Sequence, residues 1–152
     1  MAFSVRYKFS QKFRVPARKA FEWCTNYEPS DIALMGDVGK RSIVIISEDT
    51  LILDDTIRVG KTVVKKKKLV RIYKEDLFWT STHLVSPVKY SQFLYRISPE
   101  SKSSSRIDFV GLQVEPGKIE NLSARAQELR KIDSTLWKKF AAEMEKDLNI
   151  SS

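Results

Sequence analysis

From Phe3 to Arg14 the chain alternates. Phe3, Val5, Tyr7, Phe9 and Phe13 occupy one phase, and Ser4, Arg6, Lys8, Ser10, Lys12 and Arg14 the other. A period of two predicts a strand with one buried and one wet face. Pro16 stops strand pairing and can open a helix at its first turn. Ala17 to Thr25 reads as that helix, with Ala20, Phe21 and Cys24 on one face and Trp23 off it. Pro29-Ser30-Asp31 is a second start signal. It predicts a short helix within Tyr27 to Gly39, with Ile32, Leu34 and Met35 as its apolar residues.

Strand-like segments then follow at short spacing. They are Arg41–Ser47, Leu51–Arg58, Thr62–Tyr73, Leu77–Val85, Val88–Ser98 and Arg106–Val114. The short connections favour an antiparallel meander. After Glu115-Pro116-Gly117 the period lengthens. Ile119, Leu122, Ala126, Leu129, Leu136, Phe140, Met144 and Leu148 recur at steps of three, four or seven. The spacing predicts one helix from Lys118 to Leu148, about 45 Å long at 1.5 Å per residue. Asp133 interrupts its apolar stripe, with Ile132 beside it, and Trp137 sits one step away, at the edge of the expected helix–sheet contact.

Composition narrows the function classes. A chain of 152 residues suits one domain, 1–152. A single cysteine, Cys24, allows no internal disulfide. A single histidine, His83, excludes multi-histidine metal sites, and no cofactor is expected. No apolar run approaches the ~20 residues of a membrane span, and the alternating N-terminus lacks a signal-peptide core. The expected location is the cytoplasm. The net charge is +8. Arg58 to Lys74 carries eight basic residues and no acid, so the excess equals the contribution of that one segment.

The order of elements, with the segment FRVPARKAFEWCTNY (Phe13–Tyr27) and the closing FVGLQVEPG (Phe109–Gly117), resembles the SRPBCC superfamily. That superfamily includes START-related lipid-transfer domains, pollen-allergen-like proteins and the polyketide cyclase/dehydrase group. Family members usually carry Asp near Asn26, so this position departs from the pattern. The resemblance implies an α+β helix-grip fold. A seven-stranded curved antiparallel sheet would wrap a long C-terminal helix, with two short helices after the first strand. It also implies a cavity between sheet and helix that holds an apolar molecule.

Candidate binding residues follow from strand phase. Tyr73, Trp79 and Tyr95 offer amphipathic surface for a pocket, and Trp137 and Phe140 could line one from the long helix. His83 shares a face with Trp79 and Ser81 and could meet a ligand or protonate its carbonyl. Tyr90, Gln92 and Arg96 alternate on one strand, and Arg96 could pair with Asp108 across the next. In the run Lys65-Lys66-Lys67-Lys68 two side chains must point to each face, and Lys66 and Lys68 share a face with Val64, Val70 and Ile72. With Arg71 they form either a solvated, lysine-guarded strand or a basic rim for an acidic headgroup. The leading expectation is a non-enzymatic binder of a hydrophobic or amphipathic small molecule, with an anionic end as one option. The alternatives are a cyclase/dehydrase-type enzyme using His83, Tyr90 or Asp108, and a basic module for a membrane surface, a protein partner or, less favoured, nucleic acid.

Overall fold

The computed structural model describes residues 3–35 and 37–149. Strand β1 (Ser4–Phe13) leads through Pro16 into α1 (Ala17–Thr25) and α2 (Asp31–Leu34). Six strands follow: β2 (Val38–Ser47), β3 (Thr50–Val59), β4 (Thr62–Tyr73), β5 (Phe78–Val85), β6 (Gln92–Pro99) and β7 (Ser105–Val114). Helix α3 (Leu122–Asp147) closes the chain. The strands form one antiparallel sheet in the order β1-β7-β6-β5-β4-β3-β2. Hairpins join β2 through β7 in sequence, and α1 and α2 carry the chain from one edge strand, β1, to the other, β2. Gly60 turns the β3–β4 hairpin at φ +62°, a conformation that glycine adopts without steric cost. Among the described residues no helix is long and apolar enough to cross a membrane.

Two strands start away from their expected positions, β2 at Val38 rather than Arg41 and β6 at Gln92 rather than Val88, and two helices also differ. The helix expected within Tyr27 to Gly39 starts at its signal, Asp31, but lasts only four residues. Gly36, placed inside that expected helix, lies outside the described residues. Helix α3 begins at Leu122 rather than Lys118, because the Asn121 side chain accepts the Ala124 backbone N–H at 3.0 Å and caps it.

The core lies between the inner sheet face and the helices. One cluster gathers Phe13, Phe21, Leu53, Val70, Trp79 and Trp137, and a second joins Val5, Tyr7, Phe93, Phe109 and Leu129. Trp79 is 1% exposed. Burying an indole of its size contributes roughly 4–6 kcal/mol before entropy is counted. Helix α3 crosses β1, and its phase is not the one the apolar residues alone predict. Ile132 is 55% exposed, whereas Trp137 is buried among Phe13, Tyr95 and Phe140. Trp137 is therefore a centre of the helix–sheet contact, not its edge. Asp133 turns inward, where the Tyr7 hydroxyl donates to its carboxylate. A hydrogen-bonded acid thus occupies a place in the stripe that an apolar residue would otherwise fill.

Candidate functional site

The inner face of the sheet is not covered everywhere. Between β2–β6, the α1–α2 segment and the C-terminal half of α3 lies a cavity of about 640 Å³. Its rim is exposed and polar: Asn26, Glu28, Ser30 and, from the end of α3, Asp147. Its walls are mainly aromatic. Trp79 stacks on Tyr95 at 4.9 Å with rings 6° from parallel, and Tyr95 meets Trp137 at 5.9 Å. Phe140 stands edge-on to Trp137 at 5.1 Å, and Trp23 reaches Phe140 while its indole N–H donates to Asp147 at 2.9 Å. Each ring is held by a second ring, so the wall is ordered before anything binds.

One end of the cavity is charged. Arg41 on β2 donates two hydrogen bonds to Asp55 on β3, at 2.8 and 2.9 Å, and its third nitrogen lies 3.5 Å from Asp31 on α2. Lys68 on β4 approaches Asp55 at 3.3 Å. Arg41 and Asp55 are buried, and Lys68 keeps 14% of its side chain accessible. Burial opposes the charge on Asp55, but the Arg41 hydrogen bonds and Lys68 outweigh it and hold the carboxyl below its ordinary range. Burial pulls the Lys68 ammonium down, against the pull of Asp55. Burial raises Asp31, which the Glu28 backbone N–H and Arg41 only partly offset. The four groups cancel in charge, so the cluster avoids an unpaired buried ion.

Several polar atoms remain free to act. The hydroxyls of Tyr95 and Ser81 have no hydrogen-bond partner among the described residues. Among the described residues no enclosed polar side-chain atom lacks one, and both residues line the cavity, so both hydroxyls are reached from it. Burial pushes the Tyr95 and Tyr27 phenols and the Cys24 thiol upward, which keeps all three protonated. The arrangement can therefore enclose an apolar body, donate hydrogen bonds from phenol and serine, and meet a polar end at Lys68.

The structure gathers some of the candidates and separates others. Trp79, Tyr95, Phe140 and Lys68 line the cavity. His83 is buried on the same sheet face, one ladder step from Lys68, but is not part of the wall. Lys66 shares the inner face with Lys68, while Lys65 and Lys67 point outward with Arg71. Tyr73 is outward and 42% exposed. Tyr90 precedes β6 instead of belonging to it. It sits in a turn at φ +73°, where Ser86 Oγ accepts the Val88 N–H, and it is 67% exposed. Arg96 and Asp108 do stand opposite each other on β6 and β7, but they do not pair. The Arg96 guanidinium lies 4.9 Å over the Phe78 ring, and Asp108 is taken by Ser10 at 2.6 Å and Arg106 at 3.2 Å. Both are on the outer face, so neither reaches the cavity.

Arg41, Asp55, Asp31, Trp23, Tyr27 and Ser81 escaped the sequence reading. A signal existed for two of them. Asp55 falls in the apolar phase Leu51-Leu53-Asp55-Ile57, and Arg41 precedes Ile43 in phase. Charges in phase with buried residues on adjacent strands are the mark of an internal ion cluster.

No family model matches the chain, and no curated protein matches its sequence. Solved structures match it over nearly its whole length. A START superfamily protein from Mycobacterium smegmatis superposes with a TM-score of 0.73 at 11% identity, covering 93% of this chain and 97% of that one. The Zhui aromatase/cyclase from a Streptomyces species gives 0.71 at 9%, covering 95% and 96%. Norcoclaurine synthase from Thalictrum flavum, solved with dopamine and hydroxybenzaldehyde, gives 0.66 at 17%, covering 98% and 89%. All three are helix-grip proteins of the SRPBCC type, and this chain has their fold.

Proposed function

We propose that this chain binds one hydrophobic or amphipathic small molecule between the sheet, the α1–α2 segment and α3. The observation that carries the reading is the cavity of about 640 Å³, aromatic along its walls and charged at one end. That volume lies in the range of small-molecule sites, roughly 300–1,000 Å³. The apolar part of the ligand stacks on Trp79, Tyr95 and Trp137. Its polar end accepts from Lys68 and from the Tyr95 and Ser81 hydroxyls, which favours a carboxylate or carbonyl oxygen. The fold neighbours support a ligand-binding role in a general sense: one is an aromatase/cyclase, and another was solved in complex with dopamine and hydroxybenzaldehyde.

The enzyme reading receives less support. His83, Tyr90 and Asp108 do not converge: one is inside, one in an exposed turn and one on the outer face. On the cavity wall, burial holds Cys24 and both tyrosines protonated, so none of the three is an activated nucleophile.

The test is direct. Mildly purified protein is extracted with organic solvent and analysed by mass spectrometry, and the apo protein is titrated with long-chain acids and the matching alcohols. One equivalent of bound ligand is expected. Lys68→Met should weaken the acid roughly tenfold, the scale of one charge-assisted hydrogen bond, and leave the alcohol nearly unchanged. Absence of both a retained molecule and saturable one-to-one binding would overturn the proposal.

A further inference from the structure

The two faces of the sheet differ sharply in charge. Strand phase and burial place ten basic and two acidic side chains on the outer face, Asp54 and Asp108 being the acids. The strand side chains of that face therefore sum to +8, as much as the whole chain, and Glu100, just beyond β6, lies against Lys12 and Arg106 and brings the face to +7. Three of the ten cations are held in ion pairs: Lys12 with Glu100, Lys67 with Asp54 and Arg106 with Asp108. Arg96 lies over Phe78. The remaining six, Arg6, Lys8, Lys40, Arg58, Lys65 and Arg71, are exposed and hold no ion pair among the described residues.

An apolar crest, interrupted at Thr80, Thr82 and Gln92, runs among the cations. Val44 stands opposite Ile52 and Ile52 opposite Leu69, and farther along the sheet Leu94 stands opposite Val110. Val44 is 52% and the neighbouring Leu112 44% exposed. Lys40, Arg58 and Lys65 lie toward one end of the strands, and Lys8 and Arg71 toward the other. From Val44 on β2 to Leu112 on β7 it crosses five interstrand spacings, about 24 Å.

We infer that this outer face docks on an anionic lipid bilayer. The crest meets the interface with aliphatic side chains, while lysine and arginine stems reach forward from both flanks to lipid phosphates, offsetting the curvature of the sheet. A nucleic-acid strand is the poorer fit. Phosphodiesters make no use of aliphatic side chains, and unpaired bases need aromatic platforms. On this face Phe78 is covered by Arg96, which leaves Tyr73. The cavity opens on the inner side, so the docked protein keeps its mouth toward solution. The inference is independent of whether the cavity holds a ligand.

The experiment is vesicle flotation of the full chain. Vesicles of phosphatidylcholine alone are compared with vesicles containing about 30% phosphatidylserine, at about 0.05 M and about 0.5 M salt. A single-stranded RNA homopolymer at equal phosphate concentration is the competitor. Lys8→Glu/Lys65→Glu/Arg71→Glu reverses three outer-face charges. Lys131→Glu/Lys138→Glu/Lys139→Glu makes the same change in net charge on α3, at exposed positions. Circular dichroism confirms that both variants fold. The expected result is flotation with anionic vesicles at low salt, lost at high salt. It should fall at least tenfold in the outer-face variant and less than twofold in the helix variant. No flotation with anionic vesicles, equal loss in both variants, or RNA stripping the protein from vesicles would each overturn the inference.

Discussion

His83 should make the fold sensitive to mild acid. Its ring lies edge-on to Phe93 at 5.2 Å, and its Nδ1 is 2.9 Å from Ser86 Oγ. The charged groups facing it are Lys68 and Lys66 from β4 and Asp55 from β3. Burial first, then Lys68 and Lys66, push its imidazole from 6.5 down to about 4, with Asp55 opposing. Between those values the unfolded chain binds a proton that the folded chain refuses. Stability is therefore full above about pH 6.5 and is lost as pH falls toward 4. Linkage with those two values gives a loss of about 1 kcal/mol by about pH 5.5 and about 2–3 kcal/mol by about pH 4.5. The assay is urea unfolding followed by tryptophan fluorescence, on wild type and His83→Asn, at stepped pH. Asparagine keeps a polar atom near the Nδ1 position and cannot titrate. The buried carboxylates Asp31 and Asp133 are common to both proteins, so their own pH dependence cancels in the difference. Parallel stability curves, or an imidazole that titrates by NMR near its ordinary value, would refute the reasoning.

Three further outcomes follow from buried contacts. Asp55→Asn leaves Arg41 and Lys68 inside without their carboxylate and should cost about 3–5 kcal/mol in urea unfolding. Adding Lys68→Met should recover part of that loss, and strict additivity of the two changes would exclude the coupling. Gly111→Ala would set a methyl 2.6 Å from Tyr7 Cε1, and the ring is pinned by Asp133, so about 1–3 kcal/mol of stability should be lost. Tyr7→Phe removes the donor from Asp133, whose carboxyl burial already raises, and should cost about 1–3 kcal/mol. A raised carboxyl favours the fold at low pH and loses that advantage as pH rises, so this penalty should grow as pH rises and the Asp133 carboxyl ionises.

How far the sequence could be read depended on whether a residue's role was set by its own strand or by its neighbours. All seven strands showed in alternation and turn residues, because each buries one face along its length. Helix α1 showed in Pro16 and in its Ala20-Phe21 face. The α3 boundary was missed because Asn121 caps by a side-chain hydrogen bond, and the phase because Asp133 is polar yet turned inward to Tyr7. The cavity wall was half legible. Trp79 and Tyr95 are in apolar phase on their own strands. Trp23 and Tyr27 reach the site from a helix end and a loop, where no period exists to place them. Arg96 and Asp108 were well placed in register, but competing partners on the same face decided their contacts.

The lysine run shows why phase matters more than proximity in sequence. Lys65 to Lys68 form one block on paper, yet the pleat sends Lys66 and Lys68 toward Asp55 and His83 and sends Lys65 and Lys67 to the outer face. Neutralising either pair lowers the net charge equally. Lys66→Gln/Lys68→Gln removes a partner of the buried Asp55 and should destabilise the fold by about 1–3 kcal/mol. It should also raise the His83 pKa, since the two cations that depress it are gone. Lys65→Gln/Lys67→Gln costs at most one exposed pair, Lys67 with Asp54 at 3.9 Å, worth less than about 1 kcal/mol. Urea midpoints and the His83 titration in the two double variants separate the cases. Equal shifts in both would mean that the run acts as one basic block, and would remove the ground for assigning its inner half to the cavity and its outer half to the sheet's outer face.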